Sequence, residues 1–190
     1  AEETILAAYA RGIASSESKS IPGAMAAVGL NYRDVEKNLP QSIDIACHNG
    51  VDSTTISGPA EAVREYVNEL KSKNIFAREV ESSGFALHSR YITKMGENLL
   101  LRLKEVIKNP KKRSEKWLSS SFPQNEWNNA NGESQLSSAL YHTKNLLNPV
   151  LFEEVTEMLP KNAITIEIAP HGLLKSILKR SLKDGVHLSL

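Results

Sequence analysis

Apolar and polar residues recur along this chain in two periods, and each change of period marks a new element. Ile5, Leu6, Tyr9 and Ile13 repeat at helical spacing, and the serine- and charge-rich stretch from Ser15 to Pro22 reads as a loop. Ala24 to Gly29 is an apolar run of strand length. Tyr32 to Leu39 places Val35 and Leu39 on one helical face and stops at Pro40. Ile43, Ile45 and Cys47 alternate as on a half-buried strand; Asn49-Gly50 is a tight-turn pair, and Ser53 to Ser57 returns as the second arm of a hairpin. Pro59 stands where a first helical residue is favoured, and Val63, Val67 and Leu70 form the stripe of a helix running to about Lys71. Ile75 to Val80 ends the series as a strand. The order β-α-β-β-α-β is that of a ferredoxin-like unit, and it fits residues 23–81.

The flanks read differently. Ile92, Met95, Leu99, Leu103 and Val106 make a long amphipathic helix that ends before Asn109-Pro110. Lys108 to Lys116 is a basic run, read as a solvated connector. Trp117-Leu118 is strand-like, and Gln124 to Ser138 is a polar loop. Asn148 offers an N-cap, with Pro149 as first helical residue, for a helix carrying Leu151, Val155 and Leu159. Ala163 to Ala169, with Ile164, Ile166 and Ile168, reads as a buried strand; a helix with Leu174, Ile177 and Leu178 follows, then an apolar strand from Val186 to Leu190. The chain is thus expected to be a layered α/β core, residues 1–21 and 84–190, interrupted by a complete small subdomain at 22–83.

Composition narrows the function classes. The 190 residues can bury a real core, and a hydrophobic content of 41% with 24% charged residues describes a folded domain. A net charge of +1 and strands without closely spaced aromatics argue against nucleic acid as a partner. No apolar run reaches membrane-spanning length, and no basic-then-apolar leader opens the chain. The single cysteine, Cys47, excludes an internal disulfide and fits a reducing, cytoplasmic setting. Cys47 and His48 are neighbours on a strand, so their side chains point to opposite faces and both read as structural. No Cys and His cluster has metal-ligand spacing. Both ends read as cut, so a piece of a longer chain is expected.

Two residues carry candidate chemistry. His88 lies at the junction of the β-rich and helical regions, just behind Gly84, and imidazole is the side chain that ionises near neutrality. Arg11 falls off the apolar stripe of the first helix, and its planar fork matches the two oxygens of a carboxylate.

Several stretches resemble, in order and across nearly the whole chain, the malonyl/acetyl acyltransferase domain of animal-type fatty acid synthase. They are Gly23-Ala24-Met25-Ala26-Ala27-Val28-Gly29, Ala46-Cys47-His48-Asn49, Thr55-Ile56-Ser57-Gly58-Pro59, Ala86-Leu87-His88-Ser89, Asn148-Pro149-Val150-Leu151-Phe152 and Ile166-Glu167-Ile168-Ala169-Pro170-His171. The acyltransferase domains of polyketide synthases are the nearest alternative. The resemblance implies a partial α/β-hydrolase-like acyltransferase core with an inserted ferredoxin-like (βαββαβ) subdomain. It also implies a two-step transfer, in which a serine takes an acyl group from coenzyme A and passes it to the phosphopantetheine thiol of an acyl carrier protein. By the same resemblance, His88 is the catalytic base, the backbone carbonyl of Asn145 holds its other ring nitrogen, and Arg11 pairs with the free carboxylate of a malonyl group. Leu87 stands where the family commonly has an aromatic residue lining the acyl pocket, which relaxes the expected malonyl selectivity.

No bound cofactor is implied. Coenzyme A thioesters are the substrates, and the partners are the carrier protein and the other domains of a parent synthase, with neither nucleic acid nor membrane involved. No Gly-x-Ser-x-Gly occurs in the 190 residues, and the family's nucleophile elbow precedes the helix carrying Arg11. The 190-residue chain alone is therefore expected not to be acylated on a catalytic serine. The competing reading is a non-catalytic module that binds a carrier protein.

Overall fold

Alternation of apolar side chains between residues 23 and 80 builds one antiparallel sheet, and that sheet positions everything else. The computed structural model describes residues 2–127 and 132–190. Strands β1 (Gly23–Val28), β2 (Asp44–Gly50), β3 (Ser53–Pro59) and β4 (Ala77–Val80) lie in the order β4-β1-β3-β2, with helix α3 (Ala60–Ser72) packed on one face. This is the expected ferredoxin-like unit. Its core joins Val63, Tyr66, Val67 and Leu70 of α3 to Ala24, Ala26 and Val28 of β1 and Ile56 of β3. Each fully buried Val, Leu or Ile contributes roughly 1.5–3 kcal/mol relative to exposure. The short helix α2 (Tyr32–Glu36) is capped by the Asn31 side chain, which accepts from the Arg33 N–H.

A second core is helical. Helix α1 (Glu2–Ser16) supplies Ala10 and Ala14, helix α4 (Thr93–Val106) supplies Met95, Leu99 and Leu103, and helix α5 (Ala139–Leu147) supplies Ala139 and Leu146. Close approach of α4 to α5 requires Gly96, because a Cβ there would meet the Leu147 side chain at 2.6–2.9 Å. The remaining elements are β5 (Lys111–Lys112) paired with β6 (Leu136–Ser137), β7 (Val150–Leu151), α6 (Phe152–Glu157), β8 (Ile164–Glu167), α7 (Lys175–Ser181) and β9 (Val186–Ser189).

Several expectations are corrected. Asn49-Gly50 is not the hairpin turn: both residues belong to β2, Gly50 pairs with Ser53, and Val51-Asp52 turn the chain. Two register shifts in the β2–β3 ladder move the turn along. Trp117-Leu118 is not a strand, because the Trp117 N–H closes a turn onto the Ser114 carbonyl at 3.0 Å. Part of the expected 124–138 loop, residues 128–131, lies outside the described residues. Pro149 does not open a helix. It introduces β7, which adds to the sheet parallel to β2 through Cys47–Val150 and His48–Leu151. The strand β8 forms, but it is not buried: Ile164, Ile166 and Ile168 are 71%, 55% and 85% exposed, and its partner is β9.

The two cores meet where β1 begins. Gly23 donates its N–H to the Gly84 carbonyl at 2.8 Å, and a Cβ on Gly23 would stand 2.2 Å from the Ala86 nitrogen. That obstacle is backbone, so it cannot rotate away. Gly23→Ala is expected to destabilise the fold by about 1–3 kcal/mol and to displace the 84–88 segment. Gly12→Ala, in an exposed helical position with nothing within 4 Å, should instead stabilise by about 0.5–1 kcal/mol. Urea unfolding of the two variants checks the opposite signs.

Candidate active site

His88 sits in a turn that only a constrained chain would adopt. Its φ is +56°, in the left-handed region, and Ser83 (+52°) and Gly84 (+76°) share that conformation just upstream. A non-glycine residue held there costs about 1–2 kcal/mol, so the surroundings must hold it. They do so from both sides. Buried Ser89 donates its hydroxyl to the Ala86 carbonyl at 2.6 Å, Arg90 pairs with Asp44 at the start of β2, and the Tyr91 hydroxyl donates to the Ser42 carbonyl at 2.9 Å.

The imidazole is oriented by a main-chain oxygen. His88 Nδ1 lies 2.9 Å from the carbonyl of Asn148. A carbonyl only accepts, so Nδ1 carries the hydrogen and Nε2 presents its lone pair. Burial lowers the His88 pKa below its ordinary 6.5; the Asn148 carbonyl opposes that shift, and the nearby Arg11 charge adds to it. The ring is therefore neutral at neutral pH, the form a base requires.

The expected carbonyl was that of Asn145, and this is corrected: the oxygen belongs to Asn148, three residues further on. Asn145 lies within α5, where carbonyls face along the helix axis. Asn148 is its extended C-cap at φ −74°, ψ 155°, as a residue before proline favours, so its carbonyl is turned out of the helix. Its N–H donates to the Lys144 carbonyl at 2.7 Å, and its Nδ2 donates to the Ser121 carbonyl at 2.9 Å. Beyond it, the Leu151 N–H donates to the Ser120 carbonyl at 2.7 Å within the strand that joins β2. The Asn-Pro pair was the sequence signal for this carbonyl, read instead as a helix start.

Arg11 is half-buried on α1. Its Nη1 donates to Asn145 Oδ1 at 3.0 Å, and among the described residues no carboxylate lies within salt-bridge distance of it. Burial works against its charge, yet a guanidinium stays protonated in proteins. Arg11 lines a cavity of about 460 Å³ with the polar residues Glu3, Thr4, Ser137, His142 and Asn145 and with apolar residues that include Ala7, Leu99 and Trp117; Glu3 is not within salt-bridge distance of the guanidinium. His142, which the sequence did not single out, holds Ser137 Oγ at 2.9 Å through Nε2, and burial and then the Arg11 charge lower its pKa. Leu87 is half-buried and packs on the helical core, and it is not among the residues lining that cavity.

Cys47 and His48 form no dyad. Burial pushes the Cys47 thiol up to about 11, while His48 stacks on Tyr32 at 3.6 Å and meets Glu154 Oε1 at 2.6 Å. Among the described residues no group of three or more His, Cys, Asp or Glu side chains is placed to hold a metal, and no helix is long and apolar enough to cross a membrane.

The structure thus holds a half-buried histidine tethered by a main-chain carbonyl, and an arginine with no described carboxylate within salt-bridge distance, where a ferredoxin-like sheet joins a helical layer. The chain belongs to the acyl transferase domain family, whose model matches residues 1–189. A highly reducing polyketide synthase, sphB, from Aspergillus fumigatus is 32% identical over 187 residues, which cover 95% of this chain and 7% of that protein. Prosolanapyrone synthase from Alternaria solani is 32% identical over 192 residues, covering 92% of this chain and 7% of that protein. This chain thus spans about 7% of the length of those two relatives.

Among solved structures, the acyltransferase domain from module 8 of the salinomycin polyketide synthase superposes with a TM-score of 0.82 at 19% identity, over 98% of this chain and 44% of that one. The malonyl CoA-acyl carrier protein transacylase (fabD) from Coxiella burnetii gives 0.78 at 20% identity, over 99% of this chain and 60% of that one. These likenesses establish the acyltransferase fold with its ferredoxin-like subdomain. The named relatives are fungal polyketide synthases, so the resemblance holds for the acyl transferase domain and does not single out the animal-type fatty acid synthase branch.

His88 should titrate below 6.5 with a protonated Nδ1 in its neutral form, as read from its ring nitrogen shifts in a pH series. A pKa lowered by folding means that the unfolded chain binds the proton first as pH falls. The neutral ring therefore contributes stability above the ordinary value, and that contribution is lost as pH drops through the folded one. A midpoint at or above 6.5 would contradict a ring whose desolvation outweighs its carbonyl tether.

Proposed function

We propose that this chain supplies the base and the carboxylate clamp of an acyltransferase within a multidomain synthase of the polyketide type. It moves an acyl group with a free terminal carboxylate, of the malonyl kind, from a coenzyme A thioester to the phosphopantetheine thiol of an acyl carrier protein. Residues 1–21 and 84–190 form the catalytic layer in this reading, and 22–83 the inserted subdomain. The polyketide parent rests on the curated relatives. The carrier-protein and coenzyme A chemistry rests on the family. A cytoplasmic setting fits both.

The observation that carries the reading is the Arg11 guanidinium: half-buried, bonded to a neutral amide, with no described carboxylate within salt-bridge distance, and close enough for its charge to depress His88. Nε2 of His88 takes the proton of a serine hydroxyl as its oxygen attacks the thioester carbonyl. The C–S bond breaks, and the imidazolium returns that proton to the departing coenzyme A thiolate. The same steps in reverse load the carrier thiol. The Asn148 carbonyl keeps the ring in one tautomer throughout, as a carboxylate does in a Ser-His-Asp triad. No Gly-x-Ser-x-Gly lies within the 190 residues, so the reading takes the serine from outside them. Arg11 binds the acyl carboxylate, while Leu87 packs on the helical core and does not line the Arg11 cavity.

Hydrogen bonds to a charged group are worth about 1.5–3 kcal/mol, or roughly ten- to a hundredfold in affinity. Calorimetry on this chain should therefore show malonyl-CoA binding at least about tenfold tighter than acetyl-CoA, with Arg11→Ala erasing the difference. Equal affinities, or a preference that survives Arg11→Ala, would sink the reading.

A further inference from the structure

The Arg11 guanidinium has one partner among the described residues, and that partner is an amide where a carboxylate would have satisfied it more strongly. Asn145 Oδ1 accepts from Arg11 Nη1 at 3.0 Å, and Asn145 Nδ2 donates to Ser121 Oγ at 2.8 Å. The direction of this relay is unambiguous, because a guanidinium has donors only and so fixes which end of the amide faces it. Ser121 is itself buried and anchored: its N–H donates to Ser119 Oγ at 3.1 Å, and its carbonyl takes Nδ2 of Asn148, the residue that orients His88. Ser119 Oγ shares a hydrogen bond of 2.8 Å with the buried Tyr141 hydroxyl. One short segment, Ser119 to Ser121, thus braces both the arginine and the base.

We propose that Asn145 is a positioning and selectivity-determining residue: it aims the Arg11 guanidinium through the Ser121 strut while leaving its full positive charge for the carboxylate of an incoming acyl group. This rests on the reading of Arg11 given above and goes beyond it. An arginine held by Asp or Glu would be equally well ordered and already neutralised. An arginine held by nothing would be charged but mobile, losing side-chain freedom on every binding event. A neutral, two-ended brace avoids both, because aim and charge come from different atoms. The remaining guanidinium N–H groups have no partner among the described residues, and Arg11 lines the 460 Å³ cavity, whose one carboxylate, Glu3, is not within salt-bridge distance of it. The ligand class is a short aliphatic acyl thioester ending in a carboxylate.

Asn145→Asp separates a structural role from this one. Aspartate is nearly isosteric, can accept from Arg11, and can take a hydrogen bond from the Ser121 hydroxyl, so the packing is retained. Its negative charge, however, occupies the guanidinium. Calorimetry on the full chain should show the malonyl-CoA to acetyl-CoA affinity ratio falling at least about tenfold in Asn145→Asp, through weaker malonyl-CoA binding, with acetyl-CoA binding and the urea midpoint close to wild type. The His88 titration midpoint should also rise, because the charge that helps to hold it down is cancelled; a purely structural role would not move it. Ser121→Ala, which removes the strut and adds no charge, should lower the ratio several-fold and leave the His88 midpoint in place.

A wild-type ratio in Asn145→Asp, with the ratio lost in Arg11→Ala, overturns the role of Asn145 and leaves the clamp standing. A ratio unchanged in both variants overturns the clamp itself. If Asn145→Asp does not fold, Ser121→Ala decides: an unchanged ratio there also overturns the proposal.

Discussion

The rest of the structure turns on one hydrogen bond, between His88 Nδ1 and the carbonyl of Asn148, made across 60 residues of sequence. It is the point at which the helical layer and the ferredoxin-like sheet fix the same imidazole. His88 comes to it in a left-handed turn that ends the sheet subdomain, and Asn148 comes to it as the extended cap of α5. The left-handed geometry of His88 is not favoured alone. Backbone strain of this kind persists only where neighbours over-determine it, and the neighbours here are Ser89, Asp44, Ser42, Ser120 and Ser121.

That bond is backed by the docking of β7 onto β2. The strand pairing starts two residues after Asn148, and the helix behind it presents two consecutive carboxylates to the subdomain. Buried Glu153 accepts two hydrogen bonds from Asn31 Nδ2, at 3.1 and 3.0 Å, so the side chain that caps α2 also ties α2 to α6. Burial is the largest single influence on the Glu154 carboxyl and raises it, but the hydrogen bonds from His48 and from its own backbone N–H, with the His48 and Arg33 charges, together lower the pKa overall. The Tyr32 ring stacks on that His48. These contacts make the sheet subdomain a buttress for the Asn148 carbonyl. Arg11 enters from a third direction, on α1, and reaches the same frame through Asn145 and Ser121.

How much of this the sequence disclosed depends on whether the deciding contacts are local. The ferredoxin-like order was readable because Ile43, Ile45 and the Val63, Val67, Leu70 stripe announce their periods within a few residues. His88 and Arg11 could be singled out by residue type and by lying off the apolar stripes. The carbonyl facing His88 could not be chosen between two asparagines one helical turn apart, because the choice rests on Pro149 turning Asn148 extended and on β7 joining a sheet a hundred residues earlier. The serine-rich stretch around Ser121 carried no periodic signal at all. Its order comes from side chains bonding backbone at long range. The Ile164, Ile166, Ile168 alternation marked the strand correctly but not its burial, since alternation reports a face and not what lies over it.

In the proposed function His88 acts as the base and Arg11 as the clamp of an acyl transfer. The most direct measurement joins this chain to the upstream segment of an acyl transferase domain that carries the serine elbow, and follows malonyl transfer from coenzyme A to a carrier-protein thiol by intact mass. A malonyl adduct should form and pass on to the carrier, and both steps should be lost with His88→Ala. Transfer that continued undiminished in His88→Ala would rule out His88 as the base.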